Sequence, residues 1–332
     1  GFEERYSLKH IVAPLSDLLK IPVGFNSDCI GPNTSAEVGR MKNGEVLVLE
    51  NLRFYPEEKQ GNEWFAKQLS ELADIYINDA FGSAHRAHAS TAIIANYFNK
   101  NKYFGLLLNK ELNKLKLALE NPKRPFTAII GGAKISGKID VITSLFTKVD
   151  SLIIGGGMAY TFVKAMGGKI GNSLVEEEKV ALAKELIETA KIKGVSLLLP
   201  VDSINADAFN NDAKIQNSNI INVSDNYMGL DIGEKSVDLF SKVILDSKTI
   251  IWNGPMGVFE MENFESGTKE IGKAVCLATE KGAFSLVGGG DSVAAVKKFG
   301  FANKISYIST GGGAMLEYLE GKELPGVAAI QC

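Results

Sequence analysis

Two groups of residues in this chain combine types and spacings suited to chemistry. The first is cationic. Arg53 sits in the loop ENLRFYP, and His85, Arg86 and His88 crowd into the segment NDAFGSAHRAH. Guanidinium forks beside imidazoles form an inventory for gripping an anion. The second group is mostly glycine: GGAK at 131–134, GGG at 155–157, 288–290 and 311–313, and NGPMG at 253–257. Backbone N–H groups in glycine turns and at helix starts cradle phosphates without side-chain charge. Lys134, Lys138 and Asp291 are charges set among those turns. The pattern implies an anionic substrate on one part of the molecule and a phosphate-bearing cofactor on the other.

Positioning these residues requires strands that end where the glycines begin. Phe126–Ile130, Ser151–Ile154, Val195–Leu199, Thr249–Trp252, Phe284–Val287 and Ile305–Ser309 are short, continuously apolar runs. That is the signature of strands buried on both faces. Segments of helical period, such as Val175–Lys193, lie between them. Strand, turn and helix in alternation predict a parallel sheet covered by helices, with every glycine turn on its carboxyl edge, where open α/β sheets bind ligands. In the first half, Ile21–Phe25, Val46–Leu49 and Ile75–Ile77 read as strands. Trp64, Phe65, Leu69 and Leu72 read as the core stripe of a helix. Phe104, Leu108, Leu112, Leu115 and Leu119 mark a long helix that stops at Asn121-Pro122. The domain boundary is placed there: 1–103, a connecting helix 104–119, and 120–317. The fold class is α/β.

Motif tests narrow the chemistry. GAKISGKI, from Gly132 to Ile139, nearly matches the P-loop, but Ile139 has no hydroxyl for Mg²⁺, which disfavours a P-loop enzyme. The dinucleotide fingerprint fails because Tyr160 stands where glycine is required after Gly155 and Gly157, which weakens a nicotinamide dehydrogenase. Bland readings remain open for single features. Lys134 and Lys138 are either solvated lysines or phosphate ligands. Asp291 either caps a helix or holds a metal together with substrate phosphates. Glu260 is either a surface acid or an acceptor for ribose hydroxyls.

Composition bounds the rest. The chain has 332 residues, 45% hydrophobic and 23% charged, with a formal net charge of −3. Near-neutral charge argues against a nucleic-acid partner, and no apolar run approaches the ~18 residues of a membrane span. Cys29, Cys276 and Cys332 have no CxxC spacing, which excludes a disulfide scaffold and fits a reducing compartment. With no signal peptide at its start, the chain is expected in the cytoplasm.

Taken together, LENLRFYPEE, YINDAFGSAHRAH, GGAKISGKI, IIGGGMAYTF, MGLDIG, WNGPMGVFE, VGGGDS and STGGGAMLEYLEGKELPGV resemble the phosphoglycerate kinase family, in its order and over essentially the whole chain. The resemblance implies two Rossmann-like parallel-sheet domains facing a cleft, hinge closure, and a tail, 318–332, returning to the first domain. It implies a monomer that transfers a phosphoryl group reversibly between MgATP and 3-phosphoglycerate, through MgADP and 1,3-bisphosphoglycerate, in glycolysis and gluconeogenesis. Arg53, Arg86, His85 and His88 match the family's triose-phosphate patch. Lys134 matches the lysine that accompanies the transferring phosphoryl group, and Lys138 one that binds nucleotide phosphates. Gly155, Gly156, Gly229 and Leu230 match the adenine wall, Pro255 packs near the ribose, and Glu260 matches the ribose acid. Asp291 matches the residue associated with Mg²⁺. Gly311, Gly312 and Gly313 match the helix start that faces the transferring phosphate. Gly132, Asn253, Gly289, Gly290 and Ser292 complete the nucleotide set.

Two departures accompany the resemblance. Gly137 stands where the family often carries aspartate or a small polar residue. The family's VDFNVP strand and SHLGRP loop have no counterpart here, and Gly1–Lys9 resembles the family's segment just after that loop. The expectation is that these residues are a shortened version of the enzyme, able to bind nucleotide with impaired turnover.

Overall fold

The structure is a computed structural model that describes residues 1–331; Cys332, the end of the expected tail, lies outside them. It forms two compact units. One is Gly1–Lys110 with the C-terminal segment from Glu323, and the other is Glu111–Lys322. The chain passes from one to the other within the helix Leu106–Leu119. Its Leu108, Leu112 and Leu115 are buried, as the leucine spacing requires.

In the first unit β1 (Val23–Asn26) pairs in parallel with β2 (Val46–Leu49), and β3 (Tyr76–Asn78) with β4 (Lys102–Phe104). The strands thus form two separate parallel pairs rather than one continuous sheet. Their core joins Cys29, Phe65, Ala66, Leu69, Ile94 and Phe98. Trp64 is not in it: the side chain is 60% exposed. At 100° per residue, Phe65, Ala66 and Leu69 share one face of the helix Glu63–Ser70, and Trp64 falls outside that arc. The helix Pro325–Gln331 belongs to this unit, where Gly326 N donates to Ala84 O at 2.8 Å and Lys102 Nζ to Ala329 O at 2.7 Å.

The strands of the second unit are, in chain order, β5 (Phe126–Ile130), β6 (Ser151–Ile154), β7 (Lys169–Ile170), β8 (Ser196–Leu198), β9 (Asp202–Ala206), β10 (Ile215–Asn219), β11 (Asn222–Val223), β12 (Met228–Ile232), β13 (Thr249–Asn253), β14 (Phe284–Val287) and β15 (Tyr307–Ile308). Six of them form a wholly parallel sheet in the order β15-β14-β13-β5-β6-β8. Every residue of β5 and β13 is buried, so the apolar runs face helices on both sides. The parallel pair β7 and β11 is minor. A second layer, β10-β9-β12, is antiparallel, and no apolar run announces it. Its register shifts between Gly229 and Asp231, leaving Leu230 as the extra residue of a bulge.

The core of this unit gathers Ile129, Ile153, Phe240, Trp252 and Ile271. Among the described residues no helix is long and apolar enough to cross a membrane. Phe240 is fully buried in the helix Glu234–Asp246. Truncating a buried phenylalanine to alanine costs about 3–5 kcal/mol through lost transfer energy and an unfilled cavity. Phe240→Ala is expected to lower the second unit's stability by that amount in urea unfolding, and an unmoved midpoint would remove Phe240 from the core.

Candidate functional site

The parallel sheet ends in turns that approach one another closely. Gly131 N donates to Asn253 O (2.9 Å), Gly132 N to Pro255 O (3.0 Å), Gly156 N to Met256 O (3.0 Å) and Gly288 N to Trp252 O (3.0 Å). Gly156 needs to be glycine on two counts. Its φ is +69°, and a Cβ there would lie 2.6 Å from the backbone of Gly132.

Two cavities open at this edge. The first, of about 430 Å³, is largely apolar, with Gly156, Gly229, Leu230, Pro255, Met256 and Val258 among its walls and the exposed Glu260 on its margin. Gly229 keeps it open. Its backbone passes against the Tyr160 hydroxyl, where a Cβ would have no room, and Gly229 N is held by Ser173 Oγ at 2.9 Å. The bulge brings Leu230 into the wall, and Leu230 O accepts from Val258 N at 2.8 Å.

The second cavity, of about 390 Å³, carries charged side chains among its glycines, and it shares Gly132, Ala133 and Asp291 with the first. Lys134 and Lys138 come from the loop after β5. Gly289 and Gly290 open the helix Gly290–Lys298, and Gly312 and Gly313 open the helix Gly312–Leu319. The two helix starts abut: a Cβ on Gly312 would meet Gly289 Cα at 3.5 Å. Unpaired N–H groups and dipoles of two helices thereby converge beside two lysines, an arrangement suited to polyphosphate.

Lys138 is steadied from below. Its ammonium donates to Asn253 Oδ1, and Asn253 Nδ2 donates to Gly288 O at 2.9 Å. Burial lowers the pKa of Lys138, while Asp291 and Glu320 oppose that shift. Ser292 is buried with its hydroxyl accepting from Gly254 N at 2.5 Å, so it ties turn to helix as well as lining the cavity. Gly155 and Gly311, expected at the nucleotide, lie behind the walls instead. Gly155 is packed against Met256, and Gly311 O receives the first bond of its helix from Met315 N.

Sequence reading passed over Tyr160, Asn172, Leu174, Phe209 and Met228 in the first cavity. Phe209 is 63% exposed in an irregular loop where no periodicity flags it. Asp231 was missed as well. It is buried beneath this wall, accepts from Gly267 N and Ile232 N, and burial pushes its pKa up to about 8.

In the first unit the cationic residues gather. Arg86 Nε donates to His85 Nε2 at 3.0 Å. Arg53 N is held by Asn51 Oδ1 at 2.9 Å, and the Arg53 and Arg86 side chains are exposed. Burial, then the charge of Arg53, lowers the pKa of His88; Arg86 and His85 add to the effect and Glu58 opposes it. The mutual influence puts all four groups in one field.

No group of three or more His, Cys, Asp or Glu side chains that could hold a metal occurs among the described residues. A cation carried by phosphates needs only one carboxylate from the protein, and Asp291, facing both cavities, fits that need.

The sequence profile described as phosphoglycerate kinase matches residues 1–322. The phosphoglycerate kinase of Porphyromonas gingivalis is 51% identical, over 100% of this chain and 85% of that protein. The cytosolic phosphoglycerate kinase of Triticum aestivum is 52% identical, over 99% and 82%. Among solved structures, that of phosphoglycerate kinase from Coxiella burnetii superposes with a TM-score of 0.89 at 42% identity, covering 100% of this chain and 82% of that one. A glycine-edged parallel sheet, two joined cavities at that edge and this likeness along its whole length agree: the chain belongs to the phosphoglycerate kinase family.

Proposed function

We propose that the chain moves a phosphoryl group from the acyl phosphate of 1,3-bisphosphoglycerate to MgADP, giving 3-phosphoglycerate and MgATP, and runs the reverse in glycolysis and gluconeogenesis. The observation that carries this reading is the junction of the two cavities at Gly132, Ala133 and Asp291. An apolar chamber of base size leads there into a chamber of lysines and helix starts.

In this reading the adenine lies against Gly156, Gly229 and Leu230, with Pro255 and Glu260 at the ribose. The phosphates lie over Gly132, Lys138, Asn253 and the start of the helix Gly290–Lys298. Ser292 lines the phosphate chamber beside them, and Gly155 and Gly311 support these walls from behind. Magnesium, held by Asp291 and the phosphates, would neutralise phosphate charge. Lys134 and the turn Gly312–Gly313 face the phosphoryl group in transit. Phosphoryl transfer asks little covalent chemistry of a protein; it asks for alignment and charge on the equatorial oxygens. Exposed Lys134 can move with that group, whereas Lys138 is anchored through Asn253. Arg53, Arg86, His85 and His88 seat the triose phosphate. We read the enzyme as a cytoplasmic monomer, the wheat relative being the cytosolic form.

Lys134→Ala should leave MgADP affinity nearly unchanged while kcat in a coupled assay falls by about two to three orders of magnitude. An unchanged kcat would refute the role. The lowered pKa of Lys138 predicts a pH effect. Polyphosphate favours the charged ammonium, so MgADP affinity should fall as pH rises through that pKa, earlier than the ~10.4 of an ordinary lysine. Calorimetric titration across alkaline pH should show this limb in the native chain and lose it in Lys138→Met.

A further inference from the structure

Beneath the cationic cluster lies a carboxylate that no part of the mechanism uses. Glu58 belongs to the short helix Pro56–Gln60, which comes directly after the loop carrying Arg53. It is 2% exposed. Its carboxylate accepts from Ser90 N at 3.0 Å and from Ser90 Oγ at 2.7 Å, while its backbone oxygen accepts from Ala89 N at 2.9 Å. One residue thus fastens the turn that bears Arg86 and His88 to the segment that bears Arg53.

The same carboxylate faces a histidine. His88 is 8% exposed, and its Nδ1 stands 3.9 Å from Glu58 Oε1, beyond hydrogen-bond reach. Among the described residues Nδ1 has no hydrogen-bond partner. The charged or titratable groups that act on the ring are Arg53, Glu58, Arg86 and His85. Three of those four repel a proton on the imidazole, and Glu58 alone attracts one. An anion bound by Arg53 and Arg86 would cancel the repulsion and leave the attraction.

We propose that Glu58 is the positioning residue of the anion site, and that substrate binding draws one proton from solvent onto Nδ1 of His88, closing an N–H···O bond to the Glu58 carboxylate. This rests on the assignment of the cationic cluster to 3-phosphoglycerate. A latch of this kind makes affinity highest when His88 is readily protonated and lowers it as pH rises through the histidine range. It also stiffens the joint between the two anion-gripping loops only when substrate is present.

The test is NMR titration of His88 in the full chain, with and without saturating 3-phosphoglycerate, beside calorimetric Kd values. The His88 pKa should rise by about one unit on binding, a tenfold coupling. Glu58→Gln removes the attracting charge and leaves one Ser90 donor without its acceptor. It should abolish most of that rise and weaken 3-phosphoglycerate by about tenfold. Ser90→Ala keeps the charge and loses one bond, so the rise should persist while affinity drops only a few-fold. His88→Gln supplies the baseline for the ligand's own phosphate titration. MgADP affinity, governed by the second unit, should hold in every variant, and unchanged dispersion of the first unit's own NMR resonances reports that the mutated unit stays folded. A His88 pKa unmoved by bound 3-phosphoglycerate, or one that still rises in Glu58→Gln, overturns the inference. Unweakened 3-phosphoglycerate binding in Arg53→Ala/Arg86→Ala overturns the site assignment itself, and the inference with it.

Discussion

The parallel hydrogen-bond ladder of the second unit continues past the ends of its strands, and the two joined cavities depend on that continuation. Beyond β5 and β13 the pairing runs on through Gly131 to Asn253 and Gly132 to Pro255, then across to Gly156 and Met256. Side chains at these points would push the turns apart: a Cβ on Gly131 would strike the Pro255 carbonyl, and one on Gly156 the Gly132 backbone. The turns therefore interlock as bare backbone, and their remaining N–H groups and the helix starts beside them become the floor of the site. The glycines of these turns, Gly131, Gly156 and Gly254, reflect this contact between main chains.

Charge is handled differently in the two units. At the cavity edge of the second, few side chains carry it, and Lys138 is backed by a neutral anchor, Asn253, itself held by the Gly288 carbonyl. Burial penalises that ammonium, so a phosphate arriving at Lys138 meets a cation that gains from being neutralised. In the first unit cations are clustered close enough to depress His88, and one buried carboxylate underneath holds the loops together. Both units hold charge that its surroundings disfavour, a buried ammonium in one and an imidazole among guanidiniums in the other.

Bulk packing supports this without directing it. Strands buried on both faces, such as β5 and β13, contribute the core around Trp252 and Phe240 and fix the edge at which the turns emerge. The small antiparallel layer has another task. Its bulge at Leu230 and its glycine at 229 shape one wall of the apolar chamber, with Tyr160 hydrogen-bonded to Ser203 behind.

The chain's own residues determined a good deal in advance. Short continuous apolar runs bounded by glycine turns mark strands covered on both faces, so the six parallel strands and the edge carrying their glycine turns were legible. So was the company of Arg53, Arg86 and the two histidines, because all four fall in two loops that follow strands. Family likeness supplied the individual roles, which periodicity could not. Tertiary structure alone decided the rest. The strand β10, IQNSN, is polar and largely exposed, so no apolar run marks it, and β9 and β12 carry polar residues within their buried stretches. Trp64 was pulled out of the core by helix phase, Gly155 was placed behind the wall by the packing of Met256, and Gly311 by the first backbone bond of its helix. Glu58 reads as one more acid in PEEKQ until the fold buries it under a cationic cluster. Local sequence encodes which face of an element is apolar; which charged group ends up beneath a site is settled only when separate elements meet.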